Sequence, residues 1–188
     1  MGETLLQTFF AAFGLPTVCL RYFNMFGARQ NPNGDYAAVI PRFVGRMKMG
    51  QPPVVYGDGE QTRDFVYVAD VVRANLAACE GPRAVGQVIN VASGQRVSLL
   101  ELVATLNAVL GTQLAPEFKP ERKGDIRHSA GDGGQMAELL GMKRERNLDS
   151  QGRIRWILTN NIGTKTGVGL LRTLERFAGE EVAKLAKA

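Results

Sequence analysis

Between residues 3 and 13, Leu5, Leu6, Phe9, Phe10 and Phe13 fall at helical spacings, and Gly14 followed by Pro16 supplies a stop. The chain is therefore predicted to open with an amphipathic helix. Thr17 to Phe23 is a short β-favouring run, and the segment from Asn24 to Gly34 is rich in Gly, Asn and Pro, which predicts a strand followed by a long loop. From Ala37 to Met49 the apolar positions Val39, Ile40, Phe43, Val44 and Met47 recur at helical spacing. Pro41 falls in the first turn of that helix, where its missing N–H is tolerated, and Gly50 with Pro52 and Pro53 ends it.

Val54 to Tyr56 is a short strand candidate, Gly57-Asp58-Gly59 a tight turn, and Arg63 to Val68 alternates as a further strand. Asp70 to Cys79 is predicted helical, and Gln87 to Ala92 has the pattern of a buried strand. Ser98 with Glu101 three residues on forms a capping box for a helix running to about Leu110, before Gly111. Glu117 to Lys119, bracketed by Pro116 and Pro120, predicts an edge strand, followed by a basic loop and a short helix around Met136–Leu140. Alternating strands and helices predict an α/β fold, and no internal repeat is present. Residues 149–165 carry the weakest pattern, an apolar island of Ile154, Trp156, Ile157 and Leu158 between polar stretches, and a last helix from Val168 to about Phe177 closes the chain.

Composition narrows the class. With 188 residues, 45% of them hydrophobic and 22% charged, the chain has the length of one domain and the balance of a core-forming protein. Cys19 and Cys79 sit in no metal-binding pattern and are read as two buried, reduced thiols, which fits a reducing, cytoplasmic compartment. The opening segment has no basic region and carries Glu3, so it is not read as a secretion signal. No uncharged apolar stretch approaches the roughly 20 residues that cross a bilayer. Net charge is +5, and from Lys119 to Arg155 nine basic residues face six acidic ones. That surplus suits an anionic ligand such as a nucleotide diphosphate; a nucleic-acid role for the same segment ranks last.

Several chemistries are set aside. Gly57-Asp58-Gly59, Gly131-Asp132-Gly133-Gly134 and Gly167-Val168-Gly169 do not complete a dinucleotide fingerprint and are read as turns or helix starts. His128 is the single histidine, no HExxH pair exists, and no GxSxG elbow supports a hydrolase, so neither a metal centre nor a catalytic triad is expected. Arg63, Arg122 and Arg127 follow strand candidates at loop positions, and guanidinium forks suit phosphate through paired, charge-assisted hydrogen bonds.

Leu20-Arg-Tyr-Phe-Asn-Met-Phe-Gly-Ala-Arg-Gln30 resembles the stretch after the sixth Rossmann strand in NAD-dependent nucleotide-sugar epimerases and dehydratases of the extended short-chain dehydrogenase family. Tyr36 to Phe43, Tyr56 to Val71, Ile89 to Gly94 and Arg122 to Ser129 resemble further segments of that family in the same order, so residues 2–148 are covered almost continuously. The resemblance implies the last part of a Rossmann-type parallel sheet plus a small α/β substrate-binding domain. By the same similarity, Tyr22 and Phe23 line the nicotinamide end of an NAD site, and Asn24, Arg63 and Arg122 contact the diphosphate of a UDP-sugar. Asp125 takes the ribose, and Gln61 with the segment Val39-Ile40-Pro41 completes the nucleotide pocket. Ser129, being small, leaves room at sugar C2 for an N-acetyl group, so UDP-hexoses and UDP-N-acetylhexosamines are both expected to fit.

Family members open with a GxxGxxG segment that binds NAD and use a Tyr-x-x-x-Lys pair as acid and base; neither is present in this sequence. Gly2-Glu3 resembles the pair just after the catalytic lysine, which implies a truncated unit beginning past the active-site helix. No catalytic residue is therefore assigned, the chain alone is not expected to epimerise UDP-sugars, and an exposed sheet edge with poor solubility is expected. Residues 149–165 depart from the family pattern as an atypical insertion. The alternatives are a nucleotide-sugar dehydratase or decarboxylase, or a non-catalytic UDP-sugar-binding fragment; full-length relatives are expected to be homodimers.

Overall fold

The structure, a computed structural model, describes residues 1–27, 30–31 and 38–142. The atypical segment 149–165 and the helix expected from Val168 lie outside the described residues.

Helix α1 (Gly2–Phe13) follows its apolar spacing and stops at Gly14, which takes the left-handed conformation and donates its N–H to Phe10 O. None of its residues is buried, and Phe13 stands 74% exposed. It is tied down at a few points: Glu3 pairs with Arg21 of β1 (Cys19–Tyr22), and the Phe10 ring lies over Gly86. A side chain at Gly86 would put its Cβ 2.4 Å from that ring, so only glycine permits the approach.

β1 pairs in parallel with β6 (Val88–Val91), Cys19 facing Val88 and Tyr22 facing Val91. Ile89 and Val91 project into a core with Val66, Val71, Ala74 and Met136, where α3 (Val68–Glu80) and α5 (Gly134–Leu140) meet the sheet. The expected single strand over 17–23 is corrected here. The ladder passes Phe23, whose N–H still reaches Val91 O, and the chain resumes as β2 (Asn24–Phe26) against β5 (Phe65–Tyr67). Turn-forming Asn24 suggested a loop, but buried Phe26 locks against Phe65 and Tyr67, and that aromatic packing outweighs local propensity.

The expected strand 63–68 divides likewise. Thr62 and Arg63 form β4, Asp64 breaks the run, and β5 passes straight into α3 at Val68. β4 is the centre of a small sheet with β7 (Val97–Ser98) antiparallel on one side and β9 (His128–Ser129) parallel on the other. A further parallel pair joins β3 (Val54–Tyr56) to β8 (Glu117–Lys119), and β8 has no second neighbour among the described residues, as its flanking prolines predict.

Helix α2 (Val39–Lys48) buries Ile40, Phe43, Val44 and Met47 and packs against α4 (Leu99–Leu110). The Ser98 capping box is present in full: its hydroxyl accepts from Glu101 N, and its own N–H donates to the Glu101 carboxylate. Ser98→Ala should lower stability by about 1 kcal/mol; a thermal melt unchanged by that substitution would show the cap to be redundant with the packing of α4. The two thiols differ from expectation. Cys19 is buried, but Cys79 is exposed because it falls off the Val71–Ala74 stripe that faces the core. Among the described residues no helix is long and apolar enough to cross a membrane.

Candidate functional site

The parallel pair β3–β8, the small sheet around β4 and helix α2 surround one cleft of about 890 Å³. Its described lining includes five cations, Arg42, Arg46, Arg63, Lys119 and Arg122, against one carboxylate, Asp125. Low-dielectric walls of one sign concentrate an opposite charge, so the lining favours an anion over a cation.

Each cation is placed by its element. Arg42 and Arg46 are one turn apart on α2, and Arg46 is steadied by donating from Nε to Pro52 O at 2.7 Å. Glu117 on β8 lies 3.5 Å from Arg46 and 3.4 Å from Lys119, which softens the charge at that end. Arg63, only 14% exposed, projects from β4, donates to Thr62 O and forms a 2.6 Å ion pair with Asp125. Arg122 stacks on Tyr56 with its guanidinium carbon 3.7 Å from the ring centroid, a cation–π contact that holds a flexible side chain at the cleft wall. Hydrogen bonding to Arg122, and then the arginine's charge, lowers the Tyr56 phenol below its ordinary value of 10.

Gln61 supplies the other polar wall. Its Nε2 donates to Tyr56 O at 2.5 Å, and because a carbonyl only accepts, the amide orientation is set and Oε1 points elsewhere. That oxygen is buried with no partner among the described residues. Gly59, before it, turns with φ 83°, and a Cβ there would meet Leu100 at 2.7 Å, so the turn carrying Gln61 demands glycine.

Of the residues singled out from sequence, the cleft gathers Asn24, Val39, Ile40, Gln61, Arg63, Arg122 and Asp125. Pro41 and Ser129 are not in its lining, although Ser129 faces Arg63 in register across β9 and β4. Tyr22 and Phe23 are also elsewhere: the Tyr22 hydroxyl donates to Asn75 on α3, and Phe23 packs against the β1–β6 core. Arg127 is engaged away from the cleft by a two-pronged pair with Asp58 at 2.6 and 2.8 Å. Sequence reading missed Arg42, Arg46, Lys119 and Tyr56. The first two had a visible signal in their four-residue spacing, which puts both on one helix face.

Arg127 and the Glu60 N–H hold the Asp58 carboxyl at about 2, below its ordinary 3.8. With a depressed folded value, the link stabilises the fold above the unfolded pKa and is lost as pH falls from 3.8 through about 2. Arg127→Ala should return the Asp58 midpoint toward the ordinary carboxylate range in a carbon-13 NMR titration; an unmoved midpoint would assign the shift to another cause.

His128 Nδ1 lies 3.0 Å from Thr62 Oγ1, and no metal-holding cluster occurs among the described residues. Helix α3 follows parallel strand β5 directly, without the glycine turn that admits a pyrophosphate.

The fold and cleft find counterparts among known proteins. Residues 1–92 match the model of the NAD dependent epimerase/dehydratase family. It is 34% identical over 163 residues to a putative UDP-glucose 4-epimerase of Methanocaldococcus jannaschii, covering 86% of this chain and 52% of that protein. Among solved structures, a UDP-N-acetylglucosamine 4-epimerase from Methanobrevibacter ruminantium, in complex with UDP-N-acetylmuramic acid, is 37% identical with a TM-score of 0.75, over 83% of this chain and 50% of that one. A UDP-glucuronic acid 4-epimerase from Bacillus cereus, in complex with UDP-glucuronic acid and NAD, is 29% identical with a TM-score of 0.71, over 84% and 50% of the two chains. The chain thus spans about half the length of the relatives it matches.

Proposed function

We propose that the cleft binds the nucleoside diphosphate of a UDP-sugar, a hexose or N-acetylhexosamine, and that the chain is the substrate-binding portion of an NAD-dependent nucleotide-sugar 4-epimerase. The observation that carries this reading is the convergence of Arg63 and Arg122 on one cleft whose described lining holds five cations and a single carboxylate. Two guanidinium forks, one half-buried beside Asp125 and one stacked on Tyr56, are suited to the adjacent charges of a pyrophosphate.

The rest of the lining fits the same occupant. Asp125, already oriented by Arg63, offers carboxylate oxygens to ribose hydroxyls, and the start of α2, with Val39 at the wall and Ile40 buried behind it, offers an apolar side to a base. Gln61, a further polar residue of the lining, is proposed to complete the nucleotide pocket. Ser129, in register beside Arg63 though outside the cleft's lining, is the residue proposed to leave room for a C2 substituent of the sugar. The relatives that bind UDP-sugars support the assignment, and NAD, bound in the Bacillus cereus enzyme, is the cofactor proposed for the whole enzyme. Tyr22 and Phe23 are proposed to meet its nicotinamide end.

Calorimetry with UDP, UDP-glucose and UDP-N-acetylglucosamine tests the reading. Binding of all three, weakened by added salt, is expected; absence of heat at roughly millimolar ligand, equivalent to about −4 kcal/mol of affinity, rejects it.

A further inference from the structure

The strands that carry Arg63 are too short to place it by themselves. β4 meets each neighbour at two residues only, Thr62 and Arg63 against Ser98 and Val97 on one side and against His128 and Ser129 on the other. Such a ladder specifies register weakly, and a slip of one residue turns every side chain to the opposite face.

At the end of β4 lies Asp64, 0% exposed. Its Oδ1 accepts from the Ser93 N–H at 3.0 Å and the Ser93 hydroxyl at 2.5 Å, and its Oδ2 from the N–H groups of Gly94 at 2.9 Å and Gly131 at 3.2 Å. Ser93 and Gly94 lead into β7, and Gly131 follows β9. One carboxylate therefore ties down the segment that leads into β7 and the segment that leaves β9, on the two sides of β4. None of the four donors is charged. Burying a carboxylate against neutral dipoles is an expensive way to make a turn, and four converging donors require the acceptor capacity that an ionised carboxylate has and an amide lacks.

We propose that Asp64 is a positioning residue for the anion site. By clamping β7 and β9 it fixes the register of β4, and so directs the Arg63 guanidinium into the cleft and holds Ser129 beside it. The functional part of this inference rests on the UDP-sugar reading above; the clamp does not. Asp64 also joins the two halves of the fold, because Ser93 and Gly94 leave the end of β6.

Two variants of the full chain test it, at a temperature where circular dichroism shows each folded: Asp64→Asn, which keeps volume and one acceptor, and the milder Ser93→Ala. UDP affinity should fall roughly tenfold for the first and about threefold for the second, and neither loss should persist once Arg63 is alanine, since nothing then remains to be positioned. Unchanged affinity in both variants, or an equal loss in the Arg63→Ala background, overturns the proposal. Nitrogen–proton NMR of the Arg63 Nε–H, recorded without ligand, separates the two readings. That resonance should move or broaden in both variants even if the unsubstituted chain binds no UDP. A resonance left in place sinks the clamp, whereas absent UDP binding with a moved resonance sinks only the nucleotide reading. Should Asp64→Asn not fold, Ser93→Ala decides alone.

Discussion

Arg63→Ala is expected to weaken UDP binding by roughly 30- to 150-fold, about 2–3 kcal/mol, the range for losing hydrogen bonds to a charged group. The size follows from burial. At 14% exposure the guanidinium is shielded from solvent, so its interaction with a phosphate is screened less than that of a surface cation. Its removal also leaves Asp125 without its counter-charge at the site where a second anion must enter. Arg63→Lys keeps the charge but not the fork, and should recover only part of the loss. Arg122→Ala should weaken binding less, roughly tenfold, because that side chain leans on Tyr56 at an exposed wall and added salt competes with it. Titration calorimetry at two ionic strengths measures all three. If Arg63→Ala binds UDP within about twofold of the unsubstituted chain, a difference near 0.4 kcal/mol, the diphosphate does not lie at β4.

How much of this was legible in the residues depends on how local the cause is. The Ser98 box, the Gly57–Gly59 turn and the buried stripe of α2 are set by contacts within a few positions, and each appears where the pattern puts it. The break at Phe23 was not legible, because what decides it is Phe26 meeting Phe65 and Tyr67, about forty residues on. The same holds for Asp64: its neighbours favour a continuous strand, and only donors from Ser93, Gly94 and Gly131 explain the interruption. In the cleft, residue type and loop position brought forward Arg63 and Arg122 and family resemblance added Asp125, whereas Tyr56 and Lys119 join the wall through the β3–β8 pairing, which no short-range signal predicts. Arg127 has the right residue type in the right loop and is drawn to Asp58 by geometry alone.

The stability effect of Asp64→Ala should exceed that of any exposed carboxylate by a wide margin, at about 3–5 kcal/mol. The aspartate is wholly enclosed, so its removal leaves the buried Gly131 N–H without an acceptor and takes the partner from the Ser93 and Gly94 N–H groups at the more open end of the contact. Each unpaired buried donor carries a desolvation penalty of roughly 1–3 kcal/mol, partly relieved where the backbone relaxes. The Ser93 hydroxyl can rotate to another acceptor; the three amides, fixed in the chain, cannot. In urea, with a slope of roughly 1–3 kcal/mol per molar, the midpoint should fall by at least about 1 M. Asp58→Ala is the matched comparison: that carboxylate has a partner as well placed, in Arg127, but stands in solvent, where water replaces the lost bonds. Its midpoint should hardly move. Equal shifts for the two aspartates would mean that burial does not set the strength of the Asp64 contacts, and that β4 is held by its ladder instead.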